Sequence, residues 1–311
     1  MADPAAPGFG PLTIANLTSN GSPLNVDFKD AITDVTVMRT MNGASQLTIR
    51  LTDPHRTILN SPNFVAHGTC LEIPDGFGNY LQFAVMRTSK TSDTLEVGLE
   101  SRTINDLRTS RGILNSSDIT DAGEFVQNIC AQHGIPFVGP VHNPAIQPTL
   151  FSASGGTSAD PNEDSWTSMQ RIASTLGWRC WESAGTIFFG PDEYWYNQLY
   201  AFVQPPVNGY YNHPVPTLNE FTEAVQIIDL DWDIGAPFGD ATITCMSHFW
   251  QYNPGEVVHL NNMGPASGGW LVGAMQRNFF NPTATVTLTM PMPAIQKLTP
   301  TVLPVVGGRF L

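Results

Sequence analysis

The 311-residue chain is long enough for two or three domains with sizeable cores. Only 13% of it is charged, well under the usual share of roughly a quarter, while 10% is aromatic; packed interiors are expected, with a surface of uncharged polar residues or of partner contacts. Most of the formal charge of −13 sits in residues 112–256, where Arg171 and Arg179 stand against 16 acidic groups, which argues against a protein that wraps nucleic acid but not against a surface past which DNA slides.

Residues 257–311 hold Arg277, Lys297 and Arg309 and no carboxylate. Cys70, Cys130, Cys180 and Cys245 are far apart, with no CxxC and no close Cys/His cluster, so buried reduced thiols are expected rather than a zinc site. The start, Met1-Ala2-Asp3-Pro4, predicts no secretory signal, and no uncharged apolar stretch approaches the length of a membrane span.

Residues 1–23 are rich in Pro, Gly, Ser and Asn and read as an extended arm. From Val35 the apolar pattern has period two. Val35, Val37 and Arg39 alternate with Thr36, Met38 and Thr40, Asn42-Gly43 marks a turn, and Leu47, Ile49 and Leu51 alternate again. Further strands are expected at 69–73, 80–87 and 94–101, with a hairpin loop at 74–79. Together they predict a small barrel or sandwich ending near residue 110.

The period then becomes helical. Asp121 and Glu124 form a capping box before Phe125, Val126, Ile129 and Cys130, and Gly134 stops the helix. A second helix is expected with Asp160 as N-cap, Pro161 at N1 and Glu163 at N3; its apolar stripe is Trp166, Met169, Ile172, Ala173 and Leu176, and Gly177 ends it. Trp178–Trp181 and Thr186–Phe189 read as a hairpin around Ser183-Ala184-Gly185. Four prolines in 201–219 argue against a regular element and make that stretch a connector. Strands are then expected over 223–234, 240–246, 255–260, 270–277 and 283–290, the last two paired with each other. Regular alternation puts Trp270, Val272, Ala274 and Gln276 on one face and Leu271, Gly273, Met275 and Arg277 on the other.

Residues that suggest chemistry have plainer readings beside them. Asp229, Asp231 and Asp233 share one face of a strand, but three carboxylates in a line make a poor cation cage and read equally as a polar strand face. Cys130 and His133 are three apart on one helix face with no orienting acid. Adjacent carboxylates at Glu163/Asp164 and Asp192/Glu193 diverge, so neither is a convincing acid–base pair. Trp178, Trp181, Phe188 and Phe189 could stack sugars or bases, or pack beneath the two helices. No nucleophile elbow, zinc-protease motif or P-loop occurs.

Three stretches carry a resemblance. They are Ala44-Ser45-Gln46-Leu47-Thr48-Ile49-Arg50-Leu51-Thr52-Asp53-Pro54, the helix phrase from Glu163 to Trp178 leading to Phe188-Phe189-Gly190-Pro191, and the run from Pro254 through Trp270-Leu271-Val272 to Thr285–Pro291. In that order they resemble the tail hub proteins of tailed bacteriophages, the baseplate-hub or late-control protein D group, with relatives in contractile injection machines. The resemblance implies a mainly β chain with a small α+β domain and two tube-protein-like β-barrel domains. Its layout is an N-terminal arm (1–23), a first barrel (24–111), an α+β domain (112–195), a Pro-rich connector (196–219), a second barrel (220–292) and a Pro-rich tail (293–311).

The function it implies is structural and non-enzymatic, with no cofactor and no metal. It predicts a homotrimeric ring that joins the six-fold tail tube to the tail tip or baseplate and lets DNA pass. The implied neighbours are the tail tube or distal tail protein, the tape measure protein and tip or fibre proteins; the implied location is the virion tail, after synthesis in the host cytoplasm. Trp166, Trp178, Trp181, Trp232, Trp270, Met275 and Arg277 are the candidate structural or interface residues. Two other functions remain open on the residues alone: a carbohydrate-binding or host-recognition β module, and a hydrolase with an acidic pair facing across a cleft.

Overall fold

The computed structural model describes residues 18–19, 22–23, 26–60, 68–74, 80–110, 121–141, 163–197, 217–218, 227–233, 240–246, 254–260, 262, 268–281 and 283–289. Most of the expected arm and connector, and all of the expected C-terminal tail, lie outside them.

The chain enters through β1 (Thr18–Ser19), β2 (Ser22–Pro23) and a short helix α1 (Val26–Ala31), followed by five antiparallel strands. These are β3 (Ile32–Thr40), β4 (Gln46–Thr52), β5 (Cys70–Pro74), β6 (Tyr80–Thr91) and β7 (Thr94–Ser101). The expected alternation is met: Val35 pairs with Ile49 and Ile49 with Val97, while Val37 pairs with Leu47 and Leu47 with Leu99. With Leu51, Leu71, Ile73, Phe83, Val85, Leu95 and the α1 residue Phe28 they fill one core. Each such side chain contributes roughly 1.5–3 kcal/mol on burial. Register shifts at Ile32/Asp34 and Val85/Arg87 bend the ladder as bulges do.

A helical layer follows. It comprises α2 (Arg102–Thr109), α3 (Ala122–Gln132), β8 (Phe137–Val138), α4 (Ser165–Leu176), β9 (Arg179–Ser183), β10 (Thr186–Gly190) and α5 (Asp192–Asn197). Helix α3 is capped as expected: the Asp121 carboxylate accepts the Glu124 N–H at 3.0 Å, and Gly134 takes a φ of 65° after the helix. The cap of α4 differs from expectation. Asp164, not Asp160, is the N-cap and accepts the Thr167 N–H at 2.8 Å. Glu163 stands before the cap instead of at N3, because it is engaged in a forked pair with Arg171 and accepts from the Ser168 hydroxyl at 2.8 Å. Gly177, with a φ of 66°, closes the helix as expected. Helices α2 and α5 are additional to the sequence reading. Ile104 and Leu107 of α2 join the helix core of Phe125, Val126, Ile129, Trp166, Met169 and Ile172.

Strands β9 and β10 form the expected hairpin, turning at Ala184 and Gly185, both with positive φ. Strand β8 adds in parallel to β10. Close backbone packing sets this region. A Cβ on Gly123 would lie 2.0 Å from the Pro140 carbonyl oxygen, and one on Gly139 would lie 2.3 Å from that of Phe189.

The last strands are β11 (Thr217–Leu218), β12 (Ile227–Asp233), β13 (Asp240–Met246), β14 (Val257–Leu260), β15 (Gly268–Asn278) and β16 (Thr283–Thr289). The expected pairing of the last two is present, from Leu271↔Thr289 to Arg277↔Ala284. The expected faces of β15 are not kept. A shift between Val272 and Ala274 places Val272 opposite Leu288 and Met275 opposite Val286, so Val272 and Met275 share the core side. The physical reason is a bulge at Gly273, which ends the side shared by Trp270 and Ala274. Strand β15 also pairs with β3, Ala274↔Thr40 through Asn278↔Thr36. This seam merges both β regions into one sheet with the order β12-β13-β16-β15-β3-β4-β7-β6-β5-β1-β2.

Gly123→Ala and Gly139→Ala should each destabilise the chain by about 1–3 kcal/mol or more in urea unfolding, since backbone atoms must move to admit the methyl. Gly98→Ala, whose Cβ would meet Arg87 at 3.7 Å, should be close to neutral in the same assay.

Candidate functional site

The candidate residues go mostly to the interior. Trp166 is buried and Trp178 half-buried in the helix core, while Trp181, Trp270, Met275 and Arg277 are buried within the single chain. Trp232 lies on β12, and its side chain is outside the described residues. Hairpin β9–β10 has cores on both faces. Cys180, Ile187 and Phe189 meet the helices; Trp181 and Phe188 meet Met41, Trp195, Val257 and Leu271. The Trp181 and Phe188 rings stack with centroids 5.0 Å apart at 8°, and Trp195 meets Trp181 edge-on at 4.7 Å. These rings are packing and offer no exposed platform for a sugar or a base.

The other candidate constellations also separate. Cys130 is buried, and desolvation pushes its thiol up to about 12, while the His133 ring bonds the Ser110 hydroxyl at 3.0 Å. Asp192 pairs with Arg179, and Glu163 with Arg171. Asp231 is exposed on β12, and among the described residues no group of His, Cys, Asp and Glu side chains is gathered as a metal site would need. Arg277 has its guanidinium 4.7 Å from the Phe279 ring centroid; burial, and then Arg39 on the facing strand, lower it to about 10.

What the fold does assemble is the outer face of the joined sheet, the side turned away from the barrel core. Directly paired residues on neighbouring strands point to the same side. One row across six strands is Thr244, Thr285, Gln276, Met38, Gln46 and Glu100. Beside it run Asp231, Thr242, Thr287, Ala274 and Thr40, and on the other flank Asn278, Thr36, Thr48, Gly98 and Arg87. A further row holds Asp34, Arg50, Glu96 and Ser89.

Hydroxyls and amides dominate the middle of this face, with Met38 as its exposed large apolar side chain. Around β3, β4 and β7 the charges of these rows are matched, whereas Asp231, at the β12 end, stands exposed. Arg50 lies 3.1 Å from Glu96 and 3.9 Å from Asp34, Arg87 is 3.2 Å from Glu96, and Arg108 is 2.9 Å from Glu100. Asn278 of β15 donates to Asp34 of β3 and ties the network across the seam. The sequence showed the alternation of β3, β4 and β7; it did not show the outward side of β15 or that strands far apart in the chain form common rows.

No family model matches the sequence, and no curated protein matches it. Solved structures do. The 43 kDa tail protein of prophage MuSo2 from Shewanella oneidensis matches with a TM-score of 0.56 over 89% of this chain and 98% of that one, at 9% identity. The tail protein from Neisseria meningitidis MC58 matches at 0.56 over 90% and 97%, at 14% identity. This chain has the fold of these tail proteins. The same fold extends to the Escherichia coli c3393 protein, described as a type VI secretion component structurally similar to the T4 bacteriophage tail proteins gp27 and gp5 (TM-score 0.54, 16% identity, 88% of this chain and 76% of that one). The mainly β tail-protein fold expected from the resemblance is therefore present.

Trp181→Ala and Trp270→Ala should each cost about 3–5 kcal/mol, read as a lowered melting temperature of the isolated chain. Glu96→Gln, on the exposed face, should change stability by no more than about 1 kcal/mol.

Proposed function

We propose that this chain is a structural tail hub of a bacteriophage, with three copies closing a ring around a channel through which DNA passes. The observation that carries this reading is the tail-protein fold along about nine-tenths of the chain in two phage-derived or tail-associated structures. Each copy supplies two β regions, so three copies place six of them around the axis and meet a six-fold tail tube. The hub sits at the tail tip or baseplate of the virion. Its neighbours are the tube or distal tail protein on one side, the tape measure on the axis, and tip or fibre proteins on the other. The role is that of a structural part, not of a catalyst.

The outer face of the joined sheet suits the channel. A polyanion moving through a pore is held back by cationic walls and opposed by anionic ones, and both effects follow the uncompensated charge. The threonines and glutamines that fill the middle of the rows carry no charge, and the arginines beside them are matched to carboxylates, which leaves Asp231 at the β12 end as the uncompensated charge of the rows. The middle of the face is thus locally balanced, and the uncompensated charge at its β12 end has the sign that opposes DNA instead of holding it. DNA is in transient, non-specific contact with it.

Reconstruction of the assembled particle should show three-fold symmetry, with Thr285, Gln276 and Thr48 facing the channel. A dimer or a free-standing monomer in the particle would overturn the reading, as would this face turned to the outside. Replacing Gln276 and Thr285 together by lysine should leave assembly intact. DNA release from such particles should slow several-fold, and the slowing should fade as salt is raised.

A further inference from the structure

A carboxylate lies where three parts of the chain meet. Glu182, in β9, is buried, and one of its partners, Ser45, lies 137 residues away in the chain. The Glu182 N–H donates to the Gly43 carbonyl at 3.0 Å, and its own carbonyl accepts from the Ser45 hydroxyl at 3.1 Å. Its carboxylate accepts the N–H of Ser45 at 3.2 Å and that of Gly185 at 2.7 Å, with the Ser101 hydroxyl as a further partner. The Ser101 N–H donates in turn to the Ser45 carbonyl at 2.9 Å. The turn that receives Glu182 is also tied to β15, since Met41 N–H donates to the Gly273 carbonyl at 2.8 Å. One side chain therefore links the hairpin, the β3–β4 turn and, through that turn, the seam of the sheet.

The charged groups on the surrounding elements are engaged elsewhere. The turn 41–45 and strand β10 contain no acidic or basic side chain. On α2, Arg102 and Asp106 pair with each other at the surface, and Arg108 pairs with Glu100 of β7. On β7 and β4, Glu96 pairs with Arg50. On β9 itself Arg179 pairs with Asp192, and Cys180 is a thiol turned into the helix core. Arg39 of β3 acts on Arg277 of β15 inside the seam. The groups that act on Glu182 are the neutral donors of Ser45, Ser101 and Gly185.

We propose that Glu182 is a proton-operated clasp, which holds the hairpin against the β3–β4 turn when protonated and loosens that junction when ionised. The partners suit two states. The Ser101 hydroxyl donates to a carboxylate and, by rotating, accepts from a carboxylic acid, while the two backbone N–H groups donate in either state. Burial raises Glu182 above the ordinary carboxylate range, and the bonds from Gly185, Ser101 and Ser45 bring it part of the way back. An acid raised in the folded state binds its proton more tightly there than when unfolded. Its stabilisation is complete below the ordinary carboxylate value and is lost as pH rises through the raised one. The inference does not depend on the hub role.

The test is amide hydrogen exchange on the full chain between pH 4.5 and 8.5, with rates corrected for intrinsic exchange. Protection at Ser45, Glu182 and Gly185 should fall as pH rises, by up to about tenfold per unit within the window. In Glu182→Gln the corrected protection at Ser45 should be flat with pH. In Ser101→Ala the carboxylate loses a donor, so the fall should extend to higher pH. Strand amides of β4 and β7 serve as the reference. The same pH profile in Glu182→Gln as in the wild-type chain overturns the proposal. Should that variant not fold, a Ser101→Ala profile identical to wild type overturns it instead.

Discussion

A two-stranded hairpin buried on both faces is the constraint on which the rest of this structure depends. Every side chain of β10 is buried, and β9 exposes only part of Arg179. Such a hairpin has no wet side, so it must be filled from two directions with different material. The helices provide one filling, with Trp178 edge-on to Phe189 at 5.3 Å, and the joined sheet provides the other through Met41, Val257 and Leu271. The arrangement also explains the glycines around Pro140. Strand β8 and the segment after it must run close to β10, and Gly139 and Gly190 let backbone and proline ring approach it.

The seam between β3 and β15 is the second organising feature, and it joins residues more than 230 apart. Closing so long a loop has an entropic cost that grows only slowly with length, and a five-residue ladder with a shared network at Asp34 opposes it. Its consequence is geometric. Outward positions from both β regions fall into common rows, and a surface rich in threonine and glutamine extends over strands from opposite ends of the chain. Few charges in the composition thus become a local property of one face.

Much of the local structure was legible because it follows short-range rules. The strands β4 and β7 show strict alternation, and α3 has its cap, its stripe and its glycine stop within fourteen residues, Asp121–Gly134. Where reading failed, the signals were short or competing. Helix α2 has eight residues and two buried apolar ones, too little for a period to show. At the start of α4 the expected cap was Asp160; the cap is Asp164, and Glu163 just before it is held by Arg171 about two turns on. The faces of β15 were misjudged because a glycine leaves a bulge unmarked in the alternation.

By itself the sequence determined the longer strands, the two longer helices, the cap of α3, and which aromatic and aliphatic residues had to leave water, since each depends on neighbours within a turn or a hairpin. Only the tertiary structure decided what those residues packed against. Trp181 and Phe188 are apolar in any reading, but that they face Val257 and Leu271 while Phe189 faces the helices depends on where remote segments dock. The same holds for Glu182, whose partners Gly43 and Ser45 are strangers in sequence, and for the rows of the outer face. Strand pairing uses backbone groups that every residue carries, so the sequence marks that a strand pairs while only the folded chain selects the partner.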